Sequence, residues 1–449
     1  MTSEPLRVDP EALAASARQL LASANGLPSP PAPHTVTGSD PLSQAIAAQA
    51  GKVETPITEG LPAAQKGAAG FAENLATAAQ AYEQSDREIA DRTRRSSFPD
   101  ERDKVQAAGY GIKPQAPASG PLPGDMSPGD INAIDQTNRK LLDEMQQEYS
   151  KLPAGQVRTD RLADIAGIRD ALRTPDSHLI FIAKPDDPSQ MIAAATSIGD
   201  PFKADHVSVT VPGVSSSTRH SLATMTQEAY GLRQEAQFVA AHTPGESQNI
   251  STIAWMGYQP PPVIDSWDTV SDRLAQAGAP NLQSFLSDLN AGSHNPGHTT
   301  ALFGHSYGSL LAGIALKEGA SSDLTNVVLY GSPGFEATSP AQLGMSDSHL
   351  FVMSTPDDPI RPVGGLAPMH GWGADPNAIV YGDLDRYRFT HLETQAGTVG
   401  VGGDELNKTG ASGHSEYGRD PLQRMTGYNL ATILLNRPDL AARESLPPQ

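Results

Sequence analysis

Gly304-His305-Ser306-Tyr307-Gly308 carries the residue types and spacing best suited to chemistry in this chain. The spacing is G-x-S-x-G. The apolar run Thr300-Ala301-Leu302-Phe303 precedes it, and Leu310-Leu311-Ala312-Gly313-Ile314-Ala315-Leu316 follows. That order reads as a short buried strand, a tight turn and a helix. Such a turn holds a serine in strained backbone geometry with its hydroxyl outward. Gly304 and Gly308 then let strand and helix approach without a Cβ clash. The helix N-terminus behind the serine favours negative charge. The chemistry would be nucleophilic attack by Ser306. The bland alternative is a glycine-containing turn with no chemistry, so the case depends on partner residues.

A serine hydroxyl needs a base to take its proton and a third group to orient that base. On a wound α/β sheet the chain order is serine, acid, histidine. Downstream, Leu350-Phe351-Val352-Met353 runs into Ser354-Thr355-Pro356-Asp357-Asp358-Pro359-Ile360, which puts two acids at a strand end. Asp358 is the expected orienting acid, because Asp-Pro-Ile after a turn directs that side chain inward. Asp357 is the alternative, and Pro-Asp-Asp-Pro is also ordinary turn chemistry. Of His370, His391 and His414, the last sits on a loop, in Gly413-His414-Ser415-Glu416-Tyr417, and is the expected base. His391 lies in what reads as a final strand, where a structural role fits better. An oxyanion hole would take the Tyr307 N–H and a second N–H after the third strand. Val207–Val211 leads into Pro212-Gly213-Val214, so Val214 is the expected donor.

Short apolar runs occur at Leu179–Ile182, Val207–Val211, Ile250–Trp255, Thr300–Phe303, Val327–Tyr330 and Leu350–Met353. Helical patterns lie between several of them, at Ser217–Thr243 and Val270–Ala291, and another follows at Asp420–Leu435. Two more helical stripes begin near Asp130 and run through Leu172. Alternating strands and helices predict a mostly parallel, doubly covered sheet, with ligands outside the carboxyl ends of its strands. Gly397–Gly403 does not open a helix and reads as a mobile loop near the site, within a segment long enough to supply a lid. The histidines are scattered and no H-E-x-x-H occurs, so neither a metal nor a cofactor is expected.

The chain has 449 residues; 32 basic against 51 acidic side chains give a net charge of −19. An acidic chain without a basic cluster suits neither phosphate backbones nor anionic lipid headgroups. The absence of cysteine excludes disulfides and thiolate chemistry. No apolar run reaches the roughly 18 residues of a membrane span. Met1-Thr2-Ser3-Glu4-Pro5 lacks the basic start of a Sec-type signal. Residues 1–95 are Ala-rich and read as two helices around the Pro-rich Gly26–Pro33. Residues 96–128 read as a Pro/Gly-rich linker, and 129–449 as the catalytic domain.

Residues 130–437 resemble the actinobacterial α/β-hydrolase family of the DUF1023 type. The resemblance is carried by Gly199-Asp200, Ala204–Val209, Val211-Pro212-Gly213, Ala254–Tyr258, Gly304–Ser309, Tyr330–Gly334 and His414–Tyr417. It implies an α/β-hydrolase fold with a Ser306–His414–Asp358 triad, and no particular substrate. Residues 1–95 resemble the helical hairpin of ESX-type (type VII) secretion substrates. Tyr82-Glu83-Gln84-Ser85-Asp86 is similar to the Y-x-x-x-D/E export signal, although the W-x-G turn is replaced here by Asn25-Gly26 and prolines. That resemblance implies export to the cell envelope or beyond, with a helical or chaperone partner for residues 1–95. The combined expectation is an exported serine hydrolase acting on an acyl-type small molecule or lipid. The alternatives are a secreted interaction protein with a silent hydrolase domain and, for location, the cytoplasm.

Overall fold

In a computed structural model, the structure describes Arg18 and residues 130–185, 187–262, 271–364, 367, 371–377 and 389–444. The chain divides into two compact units, Met1–Gly111 and Ile112–Gln449. The expected hairpin, linker and Tyr82/Asp86 signal, and His370, lie outside the described residues.

The described elements run in the order α1 (Ile131–Ser150), α2 (Gln156–Ala171), β1 (Ser177–Ala183), β2 (Ala193–Ile198), β3 (His206–Val211), α3 (Leu222–Ala241) and β4 (Ile250–Met256). Then come α4 (Arg273–Ala291), β5 (Thr299–His305), α5 (Tyr307–Lys317), β6 (Asn326–Tyr330), β7 (Leu350–Met353) and α6 (Arg361–Gly364). The chain continues through β8 (Thr390–His391), β9 (Gly397–Val401), β10 (Asp404–Lys408) and α7 (Met425–Leu434). Eight strands form one sheet in the order β1-β2-β4-β3-β5-β6-β7-β8. β2 pairs antiparallel with β1 and β4, and every other pairing is parallel. This is an α/β-hydrolase fold, as the sequence leads one to expect.

Local chemistry explains the elements that frame the site. Asp130 caps α1 by accepting N–H bonds from Asn132 and Ala133 at 3.0 and 3.3 Å. Ile131, Ile134, Leu142, Met145 and Tyr149 form its buried stripe. β4 and β6 are buried at every position, as strands covered on both faces must be. One apolar cluster holds Trp255, Leu302, Leu310 and Leu329, and a second holds Phe303, Val328, Phe351 and Tyr428. These are opposite faces of the same strands, since neighbours Leu302 and Phe303 point to different sides. Burial on that scale, about 25 cal/mol per Å² of apolar surface, fixes the strand ends from which the site residues project.

Two local expectations are corrected. β2 escaped the sequence reading because Ala193-Ala194-Ala195 has poor strand propensity. It is buried between β1 and β4, and Thr196 Oγ1 lies 2.7 Å from Thr226 Oγ1 on α3. Gly397–Gly403 is not a loop: β9 and β10 form an antiparallel hairpin with Val401 opposite Asp404. Gly402 and Gly403 turn it with φ of 62° and 97°, the left-handed pair that a tight two-residue hairpin requires.

The hairpin is tied to α3 by a buried ion pair. Lys408 Nζ donates to Glu235 Oε1 at 2.6 Å and to the Leu422 carbonyl at 2.8 Å. The two side chains are 5% and 3% exposed. Burial raises the Glu235 carboxyl, and the Lys408 ammonium pulls the other way without overcoming it. Lys408→Met strands a buried carboxyl beside an apolar side chain, so we expect a stability loss of about 3–5 kcal/mol in denaturant unfolding. A loss below about 1 kcal/mol would show that the pair adds nothing there.

Candidate active site

The chain leaves β5 and enters α5 through Ser306, whose φ of 53° and ψ of −126° lie far from either element. A non-glycine residue at such a φ is strained and persists only where its surroundings over-determine it. Here they do. Ser306 N–H donates to the Tyr330 carbonyl at 2.9 Å, and Ser309 N–H donates to the Ser306 carbonyl at 2.9 Å. A Cβ on Gly308 would lie 2.5 Å from the Pro212 carbonyl oxygen, and one on Gly304 would lie 3.0 Å from Ser309 Cα. The motif glycines therefore sit where strand, turn and helix nearly touch.

His414 stands over this turn. Its Nε2 is 2.8 Å from Ser306 Oγ, and its Nδ1 is 2.9 and 3.1 Å from the two carboxylate oxygens of Asp358. Ser306 and Asp358 are each 3% exposed. Burial alone would raise the Asp358 carboxyl, but donors from His414, the Ile360 N–H and Tyr417 outweigh it and hold the group below its usual range. Asp358 is ionised at neutral pH, a charge that favours the imidazole tautomer with its proton on Nδ1. That tautomer leaves Nε2 as an acceptor facing the serine hydroxyl.

The neighbouring acid points elsewhere. Asp357 accepts the Gly413 N–H at 2.9 Å and bonds the Ser412 hydroxyl. It pins the loop that carries His414. Thr355 Oγ1 adds a second tie, donating to the Gly413 carbonyl at 2.9 Å. His391, on β8, is buried and faces Glu444 at 3.3 Å.

The segment after β3 reaches the same point. A Cβ on Gly213 would lie 2.5 Å from Ser306 Cβ and 3.0 Å from its Oγ, so only glycine fits. Val214, next along, is half-buried against the core. The buried Tyr258 hydroxyl donates to the Pro212 carbonyl at 2.6 Å, and the Ser215 N–H donates to the Pro261 carbonyl at 2.8 Å. Tyr307 begins α5, and its hydroxyl donates to the Ser271 carbonyl at 2.6 Å. Gly213 and the α5 N-terminus thus both border Ser306.

Residues 187–368 match the profile of a family described as alpha/beta hydrolase. The chain is 36% identical over 197 residues to uncharacterised proteins of Mycobacterium bovis and Mycobacterium tuberculosis, covering 43% of this chain and 72% of each relative. The chain belongs to the alpha/beta hydrolase family. The ESX-1 secretion-associated protein EspJ of M. tuberculosis is 36% identical over 89 residues, 19% of this chain and 30% of EspJ. Among solved structures, a thermostable carboxyl esterase from Bacillus coagulans aligns over 36% of this chain and 46% of its own, with 15% identity and a TM-score of 0.23. An esterase from Pyrobaculum calidifontis aligns over 65% and 97%, with 12% identity and a TM-score of 0.34.

Two side chains of this alpha/beta hydrolase acquire roles at the site that no sequence pattern announced. His305 Nε2 donates to the His414 carbonyl at 2.8 Å, tying the elbow to the histidine loop. Burial, then repulsion from His414, pushes His305 down to about 4, so it stays neutral at pH 7. Tyr417 bonds Asp358 across a separation of 59 residues. Among the described residues no group of three or more His, Asp or Glu is arranged to hold a metal, and no helix is long and apolar enough to cross a membrane.

Proposed function

We propose that this chain is a serine hydrolase acting on ester or related acyl bonds. One observation carries the reading: a serine, an imidazole and a carboxylate are in hydrogen-bond succession at 2.8 and 2.9 Å on a strained strand-to-helix turn. Ser306 Oγ attacks the acyl carbon as its proton passes to His414 Nε2. The new imidazolium is stabilised by Asp358. The Tyr307 and Val214 N–H groups receive the oxyanion at the α5 N-terminus, where each donor is worth about 3 kcal/mol. His414 then returns the proton to the leaving group, and water repeats the sequence to free the acyl product. A fluorophosphonate probe tests this: labelling should map to Ser306 by peptide mass spectrometry. Labelling elsewhere, or none in folded protein, would remove the nucleophile assignment.

The substrate is an acyl-type small molecule or lipid. Export by a type VII-like route is the second half of the proposal. It is supported by the Tyr82–Asp86 spacing and by the likeness to EspJ, whose name records association with ESX-1 secretion. In a mycobacterial host, Tyr82→Ala is expected to move the chain from the culture filtrate to the cell lysate. An unchanged distribution would refute the signal.

A further inference from the structure

Asp358 has more partners than a triad requires. Its Oδ1 accepts the Ile360 N–H at 2.9 Å and faces His414 Nδ1 at 2.9 Å. Its Oδ2 accepts the Tyr417 hydroxyl at 2.7 Å. The Tyr417 oxygen in turn accepts the Thr355 N–H at 2.8 Å. A backbone donor already occupies that oxygen, so the single phenolic proton is committed to the carboxylate. The ring cannot drift: it is 1% exposed and lies 5.9 Å from the His305 ring and 5.4 Å from the Tyr330 ring. Burial, then the Asp358 charge, pushes the phenol well above its usual range, so it remains a donor at neutral pH.

On the triad reading above, we propose that Tyr417 is a positioning residue that sets the basicity of the Asp358–His414 pair. It donates to Oδ2 as the Ile360 N–H donates to Oδ1, and the imidazole Nδ1 stands 2.9 and 3.1 Å from these two oxygens. Thr355 aligns the phenol from the same turn that presents Asp358, and Tyr417 lies three residues beyond His414, so acid and base loops are fixed to each other through one oxygen. A carboxylate with a strong second donor is a weaker base. It holds the imidazolium less tightly, and His414 is free to accept the serine proton at lower pH.

Other titratable or charged groups around the pair are His305 on the elbow, Tyr330 on β6, Arg361 beside Thr355, Asp357 next to Asp358 on the turn after β7 and Glu228 on α3 near Gly418. Glu228, raised by burial to about 7, is the one that would confuse a pH profile, so Glu228→Gln serves as the background.

The experiment is the second-order rate of fluorophosphonate labelling of the full chain from about pH 5 to 9, which needs no knowledge of the substrate. Tyr417→Phe keeps the ring and removes the proton. We expect a plateau about 10-fold lower and an acid limb displaced to higher pH, with and without Glu228→Gln. A lower plateau with an unmoved limb would mean that Tyr417 only packs, and would overturn the inference. Should Tyr417→Phe fail to fold, 3-fluorotyrosine in place of Tyr417 keeps the contact with a stronger donor. The limb then moves to lower pH, and a limb that stays put is equally fatal. Failure of wild-type protein to label at Ser306 would instead overturn the hydrolase reading itself.

Discussion

Ser306→Ala is expected to lower turnover of a p-nitrophenyl ester by on the order of 10⁶-fold, with the folded chain otherwise unchanged. The magnitude follows from the way the three groups act as a unit. Without the Oγ there is nothing for His414 to deprotonate, and Asp358 orients a base with no task. The fold should tolerate the change. Alanine at φ 53° is strained as serine is, and the bonds that fix the turn are made by the Ser306 backbone, not its hydroxyl. Thermal unfolding should therefore match the parent within a few degrees, while hydrolysis and probe labelling disappear together. A variant that retains hydrolysis within about tenfold of wild type would show that another group attacks. The residual rate, still roughly 10³–10⁴ above water, would report the oxyanion donors alone.

The strands that carry Ser306 and Asp358 were legible because their burial on both faces makes their apolar runs continuous. β6 and β7 appear in the sequence almost residue for residue, and β5 through its central Thr300–Phe303. Elements whose identity comes from neighbours were not legible. β2 is alanine-rich, and the space it occupies between its partners decides its state, not its propensity. The β9–β10 hairpin did leave a trace, since Val399 and Val401 alternate with polar or small residues ahead of Gly402-Gly403. The surrounding glycines masked it.

For the candidate site, residue types and chain order pointed to Ser306, Asp358 and His414. A motif is local, however, and the contacts that tune it are not. Tyr417 reaching Asp358, Tyr258 reaching Pro212 and His305 reaching the His414 carbonyl each span tens of residues or more. Only the wound sheet, by bringing several strand ends to one rim, makes them neighbours. Adjacent Asp357 and Asp358 illustrate the same limit, because successive residues of a turn can face opposite ways and spacing does not say which faces in.

That pair of acids gives the second large effect. Asp358→Asn is expected to lower kcat/KM by on the order of 10⁴-fold, and Asp357→Asn by no more than about threefold. Asp358 is buried, and in the proposed mechanism its charge stabilises the imidazolium formed as Ser306 attacks. A neutral amide of the same shape has one acceptor oxygen, so it can keep the Ile360 N–H or the Tyr417 hydroxyl but not both, and it supplies no charge. Its NH₂ can also turn towards His414 and favour the tautomer in which Nε2 carries the proton and cannot accept one. Asp357 sits in water, its bonds go to the Ser412 hydroxyl and the Gly413 N–H, and an amide can keep both, its oxygen accepting the N–H and its NH₂ donating to the hydroxyl oxygen. Any cost there is a looser histidine loop. Because Asp358 is held below the ordinary carboxylate range, its charge is complete above that range and is lost only as pH falls through the depressed value. Asp358 is thus charged throughout the neutral range, and the loss in Asp358→Asn should persist across it. Equal losses in the two variants, or the larger loss at position 357, would transfer the orienting role to the neighbouring acid.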